Sequence, residues 1–137
     1  MKTYHIPQVV KIRRQGGEVV VGCDVYIGRR CTMAGWNLQD SDWRNSDTVS
    51  QYGRATAIEN YEVYIREKLA REPKYLAYLV NMVSQGRVIT LGCWCKKKPD
   101  VPCHGDVIVK LACEVIACLH QYDMSQSLVP LQQPPLK

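Results

Sequence analysis

Residues 88–119 carry the strongest structural signal in the chain and read VITLGCWCKKKPDVPCHGDVIVKLACEVIACL. The apolar run at 88–94 predicts a strand at the centre of a sheet, with both of its faces covered. A loop rich in Lys and Pro follows, and residues 106–122 then repeat apolar side chains at helical spacing. The first turn of a helix presents unpaired N–H groups and a partial positive charge. The sequence CHGD at 103–106 is therefore placed to meet an anion or a thiolate.

The rest of the chain predicts a small single-domain layered α/β fold. Residues 9–13 and 18–23 are β-branched runs on either side of a turn at 15–17, and residues 24–30 continue in extended form. Residues 54–71 and 74–84 have helical spacing, and Pro73 is typical of the first position of a helix. This order predicts a short sheet flanked by three helices and is compatible with a Rossmann-like arrangement.

The domain is expected to cover residues 1–123. Residues 124–137 are rich in Pro and Gln, which predicts an extended and mobile tail. Residues 32–53 have no periodicity and predict a long loop, and the aromatic rings of Trp36, Trp43 and Tyr52 favour an ordered one.

The composition limits the environment and the partners. The chain has 137 residues, no signal-peptide pattern and no apolar run long enough for a membrane span. Its seven cysteines are an odd number, which favours reduced thiols and a cytoplasmic location over a disulfide framework. The net charge of +5 favours an anionic partner, either a nucleotide-like small molecule or nucleic acid. No membrane partner is expected, and a homo-oligomer is compatible with the composition.

One hypothesis is a ligand pocket at the start of the last helix. Two guanidinium groups at 29 and 30 suit a phosphate or carboxylate, a tryptophan could cover a base, and residues 96–98 add three lysines. The alternatives are solvation for the arginines and packing for each tryptophan. The candidate ligand-binding residues are Tyr26, Gly28, Arg29, Arg30, Trp43, Asn45, Trp94, Cys95 and Gly105.

Two other hypotheses concern the cysteines. Cys93, Cys95, Cys103 and His104 are chemically suited to zinc, the one cofactor that the sequence suggests, although their spacing differs from that of common zinc fingers. Cys93 and Cys95 share a face if they lie on a regular strand. Alternatively, Cys103 or Cys95 is a nucleophile activated by His104 or by the helix end. Cysteines at these positions also suit simple packing, Cys93 above all.

Four motifs together resemble the domain of unknown function 4326 family. They are YIGR at 26–29, SDWRN at 41–45, CWC at 93–95 and CHGDV at 103–107. The resemblance covers nearly the whole chain apart from the tail, and it departs from the family pattern after Asn45, where Ser46 and Asp47 replace the usual Pro and aromatic. Members occur in bacteria, phages and large DNA viruses, and the family name carries no established activity. The resemblance therefore implies a viral, phage or bacterial α/β protein.

We expect the chain to bind a nucleotide or a nucleotide-derived anionic ligand at the helix start, residues 103–106. The first alternative is an enzyme that cleaves or transfers a glycosidic or phosphate linkage of a nucleotide. In that case Asp106 or His104 acts as acid or base, and Cys103 is the candidate nucleophile. The second alternative is a zinc-stabilised nucleic-acid-binding module that uses Arg29, Arg30 and the lysines at 96–98.

Overall fold

The structure, a computed structural model, describes residues 3–33, 35–45, 53–94 and 101–132, with side chains to residue 126. These ranges contain five strands and three helices in the order β1–β4, α1, α2, β5, α3. The strands are β1 (Gln8–Lys11), β2 (Arg13–Gln15), β3 (Glu18–Val21), β4 (Val25–Tyr26) and β5 (Thr90–Cys93), and the helices are α1 (Arg54–Arg71), α2 (Pro73–Val83) and α3 (His104–Gln132).

The main sheet has three parallel strands in the order β1-β5-β4. The central position of β5 is as predicted, and Leu91, Gly92 and Cys93 are all buried. Two neighbouring parallel strands must be joined by a crossover connection. The connection between β4 and β5 contains α1 and α2. Because all three strands run the same way, their carboxyl ends meet at one edge of the sheet.

A separate antiparallel hairpin of β2 and β3 follows β1. The predicted strand at 9–13 is in fact divided between β1 and β2, because the chain leaves the main sheet at Ile12. That side chain is buried, and its N–H donates to the Cys93 carbonyl at 3.3 Å. The predicted turn is present at Gly16 and Gly17, whose positive φ angles of 60° and 81° suit a tight two-residue hairpin turn.

The three helices pack around one core together with the sheet. Tyr61 and Ile65 of α1, Leu79 of α2, Leu91 of β5 and Ile108 of α3 belong to the same buried cluster. Most of the predicted apolar positions of α1 and α2 thus face this core, although Leu76 of α2 is exposed.

Helix α3 is longer than predicted. It runs from His104 to Gln132, so the extended conformation expected from residue 124 onward is wrong for residues 124–132. No Gly or Pro occurs between 106 and 129, so nothing in that stretch interrupts the helix. The domain boundary at residue 123 stays a prediction. None of the described helices is long and apolar enough to cross a membrane.

Candidate functional site

A cavity of about 110 Å³ lies at the carboxyl edge of the main sheet, between the ends of β4 and β5 and the first turns of α1 and α3. Ligands of open parallel sheets bind at this edge. The structure brings seven of the predicted site residues, including the predicted zinc ligand Cys93, to this one place. The cavity is lined by Gly28, Arg29, Asn45, Arg54, Ala57, Ile58, Cys93, Trp94, Cys103 and His104.

Tyr26 holds Trp94 beside the cavity. The phenol ring folds back over Gly28 so closely that a Cβ atom there would lie 2.5 Å from the Tyr26 oxygen. This oxygen accepts a hydrogen bond from Trp94 Nε1 at 2.8 Å and donates one to the Arg29 carbonyl. Burial raises the pKa of Tyr26, which keeps the donor proton in place. Gly28 is therefore needed for the close approach of the ring.

The first turn of α3 is capped by its own side chains. The Cys103 Sγ accepts the Gly105 N–H at 3.3 Å, and the Asp106 carboxylate accepts the Cys103 N–H at 3.0 Å. Asp106 thus stabilises the helix start in the manner of a capping box, and it does not line the cavity. Gly105 is buried, and a Cβ atom there would lie 2.8 Å from Val9 Cγ2, so it allows the helix to pack on the sheet. Gly105, a predicted ligand-binding residue, does not line the cavity.

His104 is a buried residue that joins α3 to the end of β4. Its Nε2 lies 2.7 Å from the Ile27 carbonyl oxygen, which can only accept, so this nitrogen carries the proton. The ring makes an edge contact with Tyr61 at a centroid distance of 5.1 Å. Burial lowers the pKa of His104, and the positive charge of Arg29 adds to that effect. The imidazole is therefore neutral near pH 7.

Two thiols that line the cavity are in contact with each other. The sulfur atoms of Cys93 and Cys103 lie 3.2 Å apart, and both residues are almost fully buried. The Cys103 Sγ also lies 3.8 Å from Nδ1 of the neighbouring His104. Cys103 as a nucleophile stays a prediction.

The zinc hypothesis involves a residue that the structure does not describe. Within the described ranges, no group of three or more His, Cys, Asp or Glu residues is placed to hold a metal ion. Cys95, the fourth predicted ligand, lies outside these ranges, as do the lysines at 96–98 and Tyr52. The four-ligand zinc site therefore stays a prediction.

Arginines supply the positive charge of the cavity. Arg29 is exposed and lines it, whereas Arg30 does not line it and donates its backbone N–H to Asp40 Oδ1 at 2.8 Å. Arg54, which the sequence analysis missed, also lines the cavity and donates to the Pro102 carbonyl at 2.9 Å. No carboxylate in the described part of the chain forms an ion pair with Arg29 or Arg54.

Arg54 is also the first residue of α1, where the helix dipole adds positive charge. The cap residue before it is Gly53, which has no side chain to accept the N–H groups of the first turn. The sequence signal that could have revealed Arg54 is its position directly after a glycine at the start of a strong helical pattern.

The two predicted tryptophans have different roles. Trp43 is 4% exposed and packs edge-on against Tyr75 at 5.5 Å, and its carbonyl accepts the Tyr61 hydroxyl at 2.7 Å. Trp43 is therefore a core residue, which is the packing alternative. Trp94 is half-buried and lines the cavity. Asn45 also lines the cavity, and its side-chain amide donates to the Ala57 carbonyl at 3.1 Å.

The fold and the cavity together define a small α/β protein with a candidate site at the carboxyl ends of its parallel strands. The chain belongs to the family described as Domain of unknown function (DUF4326), whose model matches residues 10–114 and so includes every residue that lines the cavity. It is 38% identical over 115 residues to an uncharacterized protein of Acanthamoeba polyphaga mimivirus, a match that covers 77% of this chain and 78% of that relative. No solved structure matches the chain at a significant level.

Proposed function

We propose that the cavity binds the phosphate group of a nucleotide or nucleotide-derived ligand. The observation that carries this proposal is the convergence of Arg29 and Arg54, neither paired with a described carboxylate, on one cavity at the strand ends. Guanidinium groups bind phosphate through paired hydrogen bonds, and the first turn of α1 adds backbone N–H groups and the positive end of its dipole.

The size of the cavity limits what enters it. Pockets that hold a whole small molecule usually measure about 300–1,000 Å³. A cavity of about 110 Å³ suits one compact anionic group, so the rest of the ligand would lie outside it. Trp94 is the one aromatic side chain among the described lining residues, and a base could stack on it.

Binding is favoured over catalysis because of what the candidate acid and base already do. The Asp106 carboxylate accepts the Cys103 N–H, and His104 Nε2 hydrogen-bonds to the Ile27 carbonyl. Both groups therefore contribute to the fold at this junction. The cavity retains cationic and aromatic groups, which suit recognition of an anion.

Calorimetric titration with the four common ribonucleoside 5′-diphosphates, each beside its unphosphorylated nucleoside, tests the proposal. At least one diphosphate should bind. The dissociation constant of its unphosphorylated nucleoside should be higher by about tenfold or more, since a hydrogen bond to a charged group contributes about 1.5–3 kcal/mol. Arg29→Gln and Arg54→Gln should each weaken that binding by a similar factor. Arg71→Gln, at the exposed far end of α1, is the matched control. Equal affinity for nucleoside and diphosphate, or no binding of either, would exclude the proposal.

A further inference from the structure

A larger depression lies on the other side of Trp94, along the β2–β3 hairpin. This hairpin groove is defined by Lys11, Arg13, Arg14, Trp36 and Trp94, together with the hairpin backbone between them. Its volume is about 570 Å³, which is within the range of ligand-binding sites. Trp94 lines both the groove and the cavity, so the two sites adjoin. Of these five residues, only Trp94 belongs to one of the sequence motifs.

The charge of the hairpin groove is positive throughout. Lys11, Arg13 and Arg14 all line it, and no carboxylate is among the described residues that do so. Over the described ranges, none of these three cations forms an ion pair with a carboxylate. On the helices, by contrast, Arg66 and Lys110 are paired with glutamates at 2.7–3.0 Å. Lys11, Arg13 and Arg14 therefore give the groove a positive charge that no described carboxylate neutralises.

The aromatic groups of the hairpin groove are held in place by contacts with one another. Trp36 and Trp94 meet edge to face at a centroid distance of 5.4 Å. The Arg14 guanidinium lies over the Trp36 ring at 5.4 Å and donates to the Gly17 carbonyl. The buried Nε of Arg14 has no hydrogen-bond partner among the described residues.

Cations beside half-buried aromatic rings are typical of surfaces that bind single-stranded nucleic acid, since phosphates pair with the cations and bases stack on the rings. The cavity offers one phosphate site, and the hairpin groove offers a second one beyond Trp94. A ligand that occupies both needs phosphates on either side of a base. A chain of nucleotides has that chemistry, whereas a mononucleotide does not.

We infer that the hairpin groove binds single-stranded nucleic acid, which continues from the cavity past Trp94. This inference rests on the proposed function for the placement of one phosphate in the cavity. It names the ligand class as an oligonucleotide and assigns Lys11, Arg13 and Arg14 to its phosphates and Trp36 to a base.

Fluorescence anisotropy with labelled oligo(dT) and oligo(U) of about ten nucleotides, titrated over a range of NaCl concentrations, tests the inference. Lys11→Gln with Arg13→Gln removes two exposed cations. We expect the log–log salt slope to fall in magnitude by about 1.4, because each lost contact to a single strand contributes about 0.7. Arg71→Gln with Lys74→Gln removes two exposed cations from the helices and should leave the slope unchanged. Trp36→Leu should weaken binding about tenfold.

Three outcomes would overturn the inference. The first is absence of oligonucleotide binding at the lowest salt, and the second is an unchanged slope in the variant lacking Lys11 and Arg13. The third is equally tight binding of a labelled polyglutamate peptide, which would show that charge alone decides the affinity.

Titration of the same variants with the diphosphates separates this inference from the proposed function. Diphosphate binding without oligonucleotide binding removes the inference and leaves the cavity proposal standing. Oligonucleotide binding that depends on Lys11 and Arg13, with no diphosphate binding, supports the groove and removes the phosphate site in the cavity.

Discussion

At Gly28 the structure leaves no space for a side chain. A Cβ atom there would approach the Tyr26 oxygen and ring carbons at 2.5–3.0 Å, so Gly28→Ala must displace the phenol and disturb its hydrogen bond with Trp94. We expect this variant to lose about 1–3 kcal/mol of unfolding free energy, the usual cost of overpacking. Urea unfolding followed by tryptophan fluorescence measures the loss.

Gly22→Ala is the matched control for this prediction. A Cβ atom at Gly22 would meet its nearest neighbour, Val19 Cγ1, at 3.5 Å, which is an ordinary contact. If Gly28→Ala and Gly22→Ala unfold at the same urea concentration, the close approach of Tyr26 to Gly28 is not a constraint on the fold.

The hydroxyl of Tyr61 connects the core to the loop before α1. It donates to the Trp43 carbonyl at 2.7 Å in a buried setting, and burial raises the pKa of Tyr61. Tyr61→Phe leaves that carbonyl without its donor, which should cost about 1–3 kcal/mol. Tyr64→Phe, at a more exposed ring of the same helix, should change the unfolding free energy much less. Equal effects in thermal or urea unfolding would contradict the role assigned to Tyr61.

At the residue level, the sequence predicted several residues that the fold brings together at the cavity. Gly28, Arg29, Cys103 and His104 were predicted and do line the cavity. Local sequence could not separate Trp43 from Trp94, because whether a ring is buried depends on packing from distant elements. Arg54 was missed for the same reason, since only the crossover between β4 and β5 brings the first turn of α1 to the strand ends.

Among the elements, β4 and β5 are joined by the carboxylate of Asp24. It accepts two hydrogen bonds from Arg87 at 3.0 Å and one from the Thr90 N–H at 2.8 Å, so it fixes the start of β5 beside β4. The Arg87 and Thr90 donors hold the pKa of Asp24 well below its usual range.

A pH-dependent stability follows from this pairing. Because the pKa of Asp24 is lower in the folded chain than in the unfolded one, its contribution is complete above the unfolded value of about 4 and is lost as the pH falls below it. Asp24→Asn should therefore unfold at lower urea than the wild type at pH 7, and the two should converge in acid. Asp42→Asn, at an exposed carboxylate, is the control. A difference that persists unchanged at low pH would contradict this account.

The helices and strands with the clearest apolar periodicity were predicted most accurately. Helices α1 and α2 lie within one residue of the predicted bounds, because a single apolar stripe with a Pro at the first position of α2 defines them. The strands at 9–23 were less well predicted, because burial of Ile12 in the tertiary fold determines where β1 ends and β2 begins. The apolar run of β5 predicted its central position, but which strands flank it is a long-range property that no local pattern contains.

Over the whole molecule, charge is divided between two regions. Glu62 and Glu114 neutralise Arg66 and Lys110 where α1 meets α3. At the sheet edge, the arginines of the cavity and the cations of the hairpin groove have no described carboxylate as an ion-pair partner. Both proposals therefore place their ligands beside cations that no described carboxylate neutralises.

The far end of α3 provides a test of the predicted domain boundary. Among the α3 side chains that the structure describes, up to residue 126, the buried ones lie at positions up to Ala112, whereas Tyr122 and Met124 are exposed. Tyr4 reaches Asp123 through its hydroxyl, which helps to raise the pKa of Tyr4 to about 12. A chain that ends at Asp123 should therefore stay within about 1 kcal/mol of the full chain in unfolding free energy. Loss of cooperative unfolding in this truncated chain would place the boundary further along α3.

The central position of β5 also determines when the sheet can form during synthesis. β5 is the last strand of the described chain, yet both β1 and β4 pair with it. A nascent chain that has not yet reached residue 90 holds both edge strands and two amphipathic helices but lacks the strand that joins them. Pairing between Gln8 and Thr90 closes a loop of most of the chain, a step that is slow and leaves apolar surface uncovered meanwhile. Folding on the ribosome must therefore wait for the final third of the sequence.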